Sequence, residues 1–309
     1  MNKPRIVVIG SSNTDMIVRL DRLPRPGETL LGGKFFTAAG GKGANQAVAA
    51  ARAGGAVTLV AKVGRDLFGD QAVRGFEADG IDVSLVSRDA REPSGVALIS
   101  VAAGGENSIA VASGANARLS PADIRRARPM IAGADVLLAQ LETPLAGVNA
   151  AIQWAAAHGV RAILNPAPAQ PLPDALLHRV SILTPNETEA ELLTGVSITD
   201  DASAARAADR LRARGVGTVI ITLGARGAWV ANAAGQQRIA GFKVKPVDTT
   251  GAGDVFNGSL AVALGEGQPL LDAVRWAGAA AAVSVTKQGA QPSAPSRRAI
   301  EALLRRGSP

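Results

Sequence analysis

The chain has 309 residues, enough for one large α/β domain or two smaller ones, and its 47% hydrophobic and 19% charged residues are the balance of a globular enzyme. Cysteine is absent, which excludes disulfides, thiolate metal sites and a cysteine nucleophile, and two histidines, His158 and His178, are too few for a histidine-rich metal centre. The net charge is +7, yet the arginines are scattered and tyrosine is missing, so the stacked, basic surface of a nucleic-acid binder is not expected.

The opening MNKPRIVVIGSS runs directly into an apolar strand, RIVVIG (5–10), without the cleavage pattern of a signal peptide. No apolar run reaches the length of a membrane span, so a cytoplasmic protein with no membrane partner is expected. Residues 14–38 then read as two strands joined by a turn, with no helix between them. ANQAVAAARAG is helical, AVTLVAKVG (56–64) is a strand, and GDQAVRGFEADG is helical again. Residues 95–113 repeat the hairpin pattern.

From DVLLAQLE (135–142) onward strands and helices alternate regularly. PLAGVNAAIQWAAAHG is followed by RAILNPA (161–167), VSILTPN (180–186), the helical TEAELLTG and DASAARAADRLRARG, and TVIITLG (218–224). The last third is helical at 253–265, 269–286 and 296–306, interrupted by KQGAQPSAP. Near-continuous apolar strands between amphipathic helices predict an α/β fold with a mostly parallel sheet covered on both faces. The two hairpins predict a small inserted β-sheet lid within a single domain spanning 1–309.

Five clusters carry possible chemistry. In DTTGAGDVFNG the turn Gly251-Ala252-Gly253 can aim consecutive N–H groups ahead of a helix, an anion cradle, with Asp254 placed to take a proton from a hydroxyl. The same residues also read as a tight turn with a dipole-complementing aspartate. AAGGKGANQAVAAARAG puts Lys42 and Asn45 in a first helical turn, either as ligands for an anion or hydroxyls or as a strand–helix turn with a solvated lysine. In TPNETE, Thr184, Pro185 and Glu187 spell a capping box, which leaves Asn186 and Glu189 without a structural task and free to order water around magnesium. SSNTD offers Asn13 and Asp15 to sugar hydroxyls or forms a polar turn. TLGARG passes near a nucleotide phosphate or begins a hairpin, while Gln140-Leu141-Glu142 ends a strand at the same edge. His158 and His178 fall near helix ends and read as structural.

Taken in order, SSNTD, GGKGANQA, LNPAPA, TPNETEAELLTG, ITLGARG, DTTGAGDVFNG and KQGAQPS resemble the ribokinase-like (PfkB) family of carbohydrate kinases over nearly the whole chain. The resemblance implies MgATP-dependent phosphorylation of a small sugar, D-ribose at its 5-hydroxyl, with 2-deoxyribose, fructose or a nucleoside as neighbouring substrates. It implies Asp254 as the base and Gly251, Ala252 and Gly253 as the anion hole. It implies Asn13, Asp15, Gly41, Lys42, Asn45 and Glu142 as sugar contacts. Asn186, Thr222, Gly224, Ala225, Arg226 and Gly227 would line the ATP site, and Glu189 the magnesium shell. A potassium ion would lie among Asp248, Thr250, Ser284, Lys287, Gly289 and Ser293, and a homodimer would form through the lid. One departure stands at Gly278, where the family often carries a larger polar residue near the adenine. The contrasting reading is a sugar sensor without turnover, against which Asp254 and its glycine turn argue.

Overall fold

The computed structural model describes residues 3–307. Its strands are β1 (Arg5–Ile9), β2 (Asn13–Leu20), β3 (Lys34–Gly40), β4 (Ala56–Gly64), β5 (Val86–Asp89), β6 (Gly95–Ala102), β7 (Asn107–Ala112), β8 (Val136–Ala139), β9 (Arg161–Leu164), β10 (Ile182–Leu183), β11 (Thr218–Thr222), β12 (Ala228–Asn232) and β13 (Gly235–Ile239). The helices are α1 (Lys42–Ala53), α2 (Leu67–Ala78), α3 (Pro121–Ala132), α4 (Leu145–Ala157), α5 (Asp174–Leu177), α6 (Glu187–Thr194), α7 (Asp201–Ala213), α8 (Ala252–Gly265), α9 (Leu270–Ser284), α10 (Ala290–Ser293) and α11 (Arg297–Arg305).

Nine strands form the main sheet in the order β13-β12-β11-β10-β9-β8-β1-β4-β5. It is parallel from β5 to β11, and the β12–β13 hairpin adds two antiparallel strands at one edge. Alternation along each strand divides the core between the two faces. Ile6, Val8, Leu59, Leu138, Ile163 and Ile220 pack toward α1, α8 and α9. Val7, Ile9, Val60, Leu137, Leu164 and Ile221 pack toward α3, α4 and α7. Both layers are rich in alanine, so helices approach closely. A Cβ at Gly258 of α8 would lie 2.5 Å from the Gln46 carbonyl oxygen and 2.8 Å from the Ala49 Cβ of α1. That contact sets these two helices side by side.

The chain builds outward from β1 in both directions: through β4 to β5, then back through β8 to β11. The crevice at the carboxyl ends of β1 and β8 is therefore the switch point where open α/β sheets hold ligands. The two predicted hairpins form the second sheet, in the order β3-β2-β6-β7, with β2 and β6 parallel and the outer pairs antiparallel. This lid grows out of the residues that follow β1, so it stands beside the switch point. Strand β5 and the β12–β13 hairpin were not among the predicted elements. His158 and His178 end α4 and α5, with a ring nitrogen 2.9 Å from the Trp154 carbonyl oxygen and 2.6 Å from that of Asp174, respectively.

Candidate active site

The polar residues gathered at the switch point come from five elements. Ser11 to Asn13 follow β1, and Gln140 to Glu142 follow β8. Helix α1 brings Lys42, Asn45 and Gln46, helix α8 brings Asp254, and β2 brings Asp15. Asp254 is 6% exposed in the first turn of α8. Its Oδ2 accepts from Asn45 Nδ2 and its Oδ1 from Gln46 Nε2, both at 2.9 Å. Burial pushes its pKa up, while Lys42 and the two amide donors pull it down.

Lys42 is not the solvated lysine of the alternative reading. Burial works to lower its pKa, but Asp254, Glu142, Glu189 and Asp15 surround it and raise it overall. The Glu142 carboxylate accepts from the Lys42 backbone N–H at 2.9 Å and from the Ser11 hydroxyl at 2.5 Å, so an acid complements the start of α1. Asp15 is pushed up to about 6, by burial first and then by Glu142 and Asp254 against the pull of Lys42. Asn13 is buried, and its Oδ1 accepts from Asn116 Nδ2 at 2.7 Å. Asp15, Lys42, Asn45, Glu142 and Asp254 thus lie close together, and Gly41 at the start of α1 sets Asn13 beside them.

The turn before α8 is held from two sides. Gly251 has φ 74°, and a Cβ there would come within 2.7 Å of the Ala290 Cβ, so both the backbone conformation and the space call for glycine. Gly253 faces open space. The Ala252 N–H donates to the Thr249 carbonyl at 3.2 Å.

Asp248 accepts from the Thr250 N–H and the Gly289 N–H, each at 2.9 Å, and bridges the loops on either side of the turn. Burial opposes the ionised form, but these donors and Arg19 keep the carboxyl below its usual range. Backbone N–H groups thus compensate part of the Asp248 charge. Its oxygens retain lone pairs, so the site remains able to take a monovalent ion. The Ser284 and Ser293 hydroxyls donate to the Ala281 and Ala290 carbonyls, at 2.8 and 2.9 Å. The Lys287 N–H donates to the Ser284 carbonyl at 3.0 Å.

At the neighbouring strand ends, Asn186 and Thr222 form a bridge and the Thr222 N–H donates to the Pro185 carbonyl at 2.9 Å. Gly224 to Arg226 make a short 3-10 turn next to them. Arg226 pairs with Glu187 and donates to the Thr199 carbonyl at 3.1 Å, and a Cβ at Gly227 would strike the Ile239 carbonyl at 2.0 Å. Gly278 lies on α9 near Phe242. Asn186 and Glu189 do have a structural task, contrary to expectation. Helix α6 starts at Glu187, and Asn186 caps it: the Glu189 N–H donates to Asn186 Oδ1 at 2.8 Å and the Asn186 N–H to Glu189 Oε2 at 2.9 Å. The carboxylate still feels the charges of Lys42 and Asp254.

Ser11, Gln46, Asn116, Gln140, Asn165 and Asn257 are buried polar residues of this region that sequence reasoning assigned no role. The signal was present for most of them, since Ser11, Gln46, Asn165 and Asn257 lie inside the quoted motifs SSNTD, GGKGANQA, LNPAPA and DTTGAGDVFNG, and Gln140 ends the strand named with Glu142.

Comparison with known proteins shows the family. The chain is 48% identical over 293 residues to the ribokinase of Haemophilus influenzae, covering 95% of this chain and 96% of the relative. It is 39% identical over 292 residues to the deoxyribokinase of Salmonella typhimurium, covering 94% and 95%. The structure of Arabidopsis thaliana ribokinase complexed with ribose and ATP superposes with a TM-score of 0.92 at 33% identity, covering 98% of this chain and 99% of that one. The pattern described as pfkB family carbohydrate kinase matches residues 3–297, and with it the chain belongs to that family.

Proposed function

We propose that this carbohydrate kinase transfers the γ-phosphoryl group of ATP to the 5-hydroxyl of D-ribose, giving D-ribose 5-phosphate, as one kinase domain with its lid. The observation that carries the reading is Asp254: a buried carboxylate held by two amide donors, in the first turn of a helix and next to a glycine turn. A hydroxyl brought to that carboxylate loses its proton as the oxygen attacks phosphorus. The Gly251–Gly253 backbone receives the transferring phosphoryl oxygens, with Ala252 exchanging its long bond to Thr249 for them. Asn13, Asp15, Gly41, Lys42, Asn45 and Glu142 hold the sugar, and Lys42 supplies the cation facing the transferred group. The relatives named ribokinase support the substrate, and the structure containing ribose and ATP supports the pair of ligands.

ATP lies along Asn186, Thr222 and Gly224–Gly227, and Glu189 orders the magnesium shell with the carboxylate oxygen that the cap does not use. Asp248, Thr250, Ser284, Lys287, Gly289 and Ser293, on the loops that Asp248 bridges, would hold a potassium ion, whose charge would steady the glycine turn. The active form is a cytoplasmic homodimer joined through the lid. A 2-deoxyribose kinase is the second reading, because the Salmonella typhimurium relative is a deoxyribokinase and the two sugars differ by one hydroxyl.

The test is ADP release over a panel of ribose, 2-deoxyribose, fructose and a nucleoside, in potassium and in sodium at equal ionic strength. Ribose should give the highest kcat/KM and potassium the higher rate, and Asp254→Asn should lose about 10²–10⁴-fold in kcat. Preference for 2-deoxyribose transfers the assignment to the second reading. Near-normal kcat in Asp254→Asn overturns the mechanism.

A further inference from the structure

We propose that Gln46, locked in place by Asn165, is a positioning residue that keeps Asp254 an ionised acceptor aimed at the sugar. The inference rests on Asp254 being the base and adds what sets its protonation and direction. Helices α1 and α8 touch at Gly258, which lowers the fully buried Gln46 side chain onto the Asp254 carboxylate. Its Nε2 donates to Asp254 Oδ1 at 2.9 Å and to Asn165 Oδ1 at 3.0 Å, and its Oε1 accepts from Gln140 Nε2 at 2.5 Å.

The amide orientations follow from one backbone group. Asn165 Nδ2 donates to the Thr184 carbonyl at 3.0 Å, and a carbonyl can only accept. Asn165 must therefore turn its oxygen to Gln46, which must present its NH₂ group. One of those hydrogens is spent on Asn165 and the other points at Asp254. Gln140 is obliged to donate in turn, which leaves its Oε1 against Gly10 without a hydrogen-bond partner. Reversing any of these amides would place two oxygens or two NH₂ groups face to face. A chain of neutral amides thus demands an acceptor at Asp254 Oδ1.

The demand matters because the surroundings favour a proton there. Lys42 faces Asp254 from α1, but Glu142 from the loop after β8, Asp15 from β2 and Glu189 from α6 face it as well. Thr184 also ties this chain to the phosphoryl turn. Its hydroxyl donates to Asn257 Oδ1 at 2.6 Å, and Asn257 Nδ2 donates to the Gly253 carbonyl at 2.8 Å. One strand end therefore positions both the base and the start of α8.

The experiment is single-turnover phosphoryl transfer by the full chain at saturating ribose and MgATP, from about pH 5 to about pH 9, for Gln46→Met and Asn165→Ala. Gln46→Met should move the acid limb upward by about one pH unit, the size of a lost hydrogen bond to a charged group. The rate should fall about 10-fold near the limb while ribose KM stays within about threefold. Asn165→Ala should move the same limb by less, since Gln46 still reaches Asp254 in one of its two orientations. The double variant should match Gln46→Met instead of adding to it. A rate lowered equally at every pH, with the limb unmoved, overturns the inference and leaves Gln46 as packing. Should Gln46→Met fail to fold, an unmoved limb in Asn165→Ala has the same consequence. Asp254→Asn is the control: if it retains activity, the base assignment fails and not the relay alone.

Discussion

At the scale of single residues, Asp15 shows how a site can burden the fold that carries it. Its carboxyl is pushed from 3.8 to about 6, by burial first and then by Glu142 and Asp254. An acid whose folded pKa is raised favours the folded state fully below the unfolded value and loses that contribution as pH rises through the folded value. The window is therefore 3.8 to about 6, and above it the charge weighs against folding. A shift of this size corresponds to roughly 3 kcal/mol, and partial access to water reduces the expected effect to about 1–2 kcal/mol. Asp15→Asn in the sugar-free enzyme should therefore melt higher than the parent near pH 8, and the two should converge near pH 4. An asparagine variant that is no more stable at the higher pH would show that the charge is compensated. SSNTD gave the pairing of Asn13 with Asp15, because alternate residues of a strand share a face. It carried no sign of Asn116 or Glu142, which arrive from other parts of the chain and set the environment of both.

At the scale of elements, TPNETE shows why local pattern found a helix start but misassigned its cap. The stretch spells two overlapping boxes, Thr184 with Glu187 and Asn186 with Glu189, and helical spacing fits either. The sheet decides between them. The Thr184 N–H donates to the Leu164 carbonyl at 3.0 Å and its hydroxyl goes to Asn257, so Thr184 belongs to the strand end and Asn186 is left to cap. Glu189 therefore combines a capping role with its proposed magnesium role, and the two can be separated. Glu189→Gln preserves the cap, so its stability should stay within about 0.5 kcal/mol of the parent, whereas Glu189→Ala should lose about 1 kcal/mol. If the carboxylate orders the magnesium shell, both variants should need several-fold more magnesium for half-maximal rate. A glutamine variant with the parent's magnesium dependence would confine Glu189 to the cap. The same limit explains the missed β13, GQQRI, an edge strand too polar to show an alternating apolar face. The strands on both sides of the switch point were legible because they are buried on both faces.

At the scale of the whole molecule, the lid was legible as two helix-free hairpins, but their pairing was not, since β2 and β6 join in parallel across about eighty residues of intervening chain. That pairing decides what the lid can do. Directly opposed residues align Phe36, Ile17, Ile99 and Ile109 in one row across all four strands. The next row on the same face is Ala38, Asp15, Ala97 and Val111. The apolar row therefore continues the face that carries Asp15. Ile109 is 55% exposed and Val111 53%, and all six residues of the edge strand β7 are exposed. An exposed apolar row that ends in an edge strand suits the proposed association, in which a second lid would offer the same face in return. Ile109→Arg puts a charge in the middle of the row and leaves the main sheet untouched. Sedimentation should show the parent at twice the chain mass and the variant at the chain mass. The variant's sugar KM should rise by more than its ATP KM, because the lost cover lies beside Asp15. A parent that sediments as a monomer, or a variant that keeps the doubled mass, would show that the lid does not join two copies.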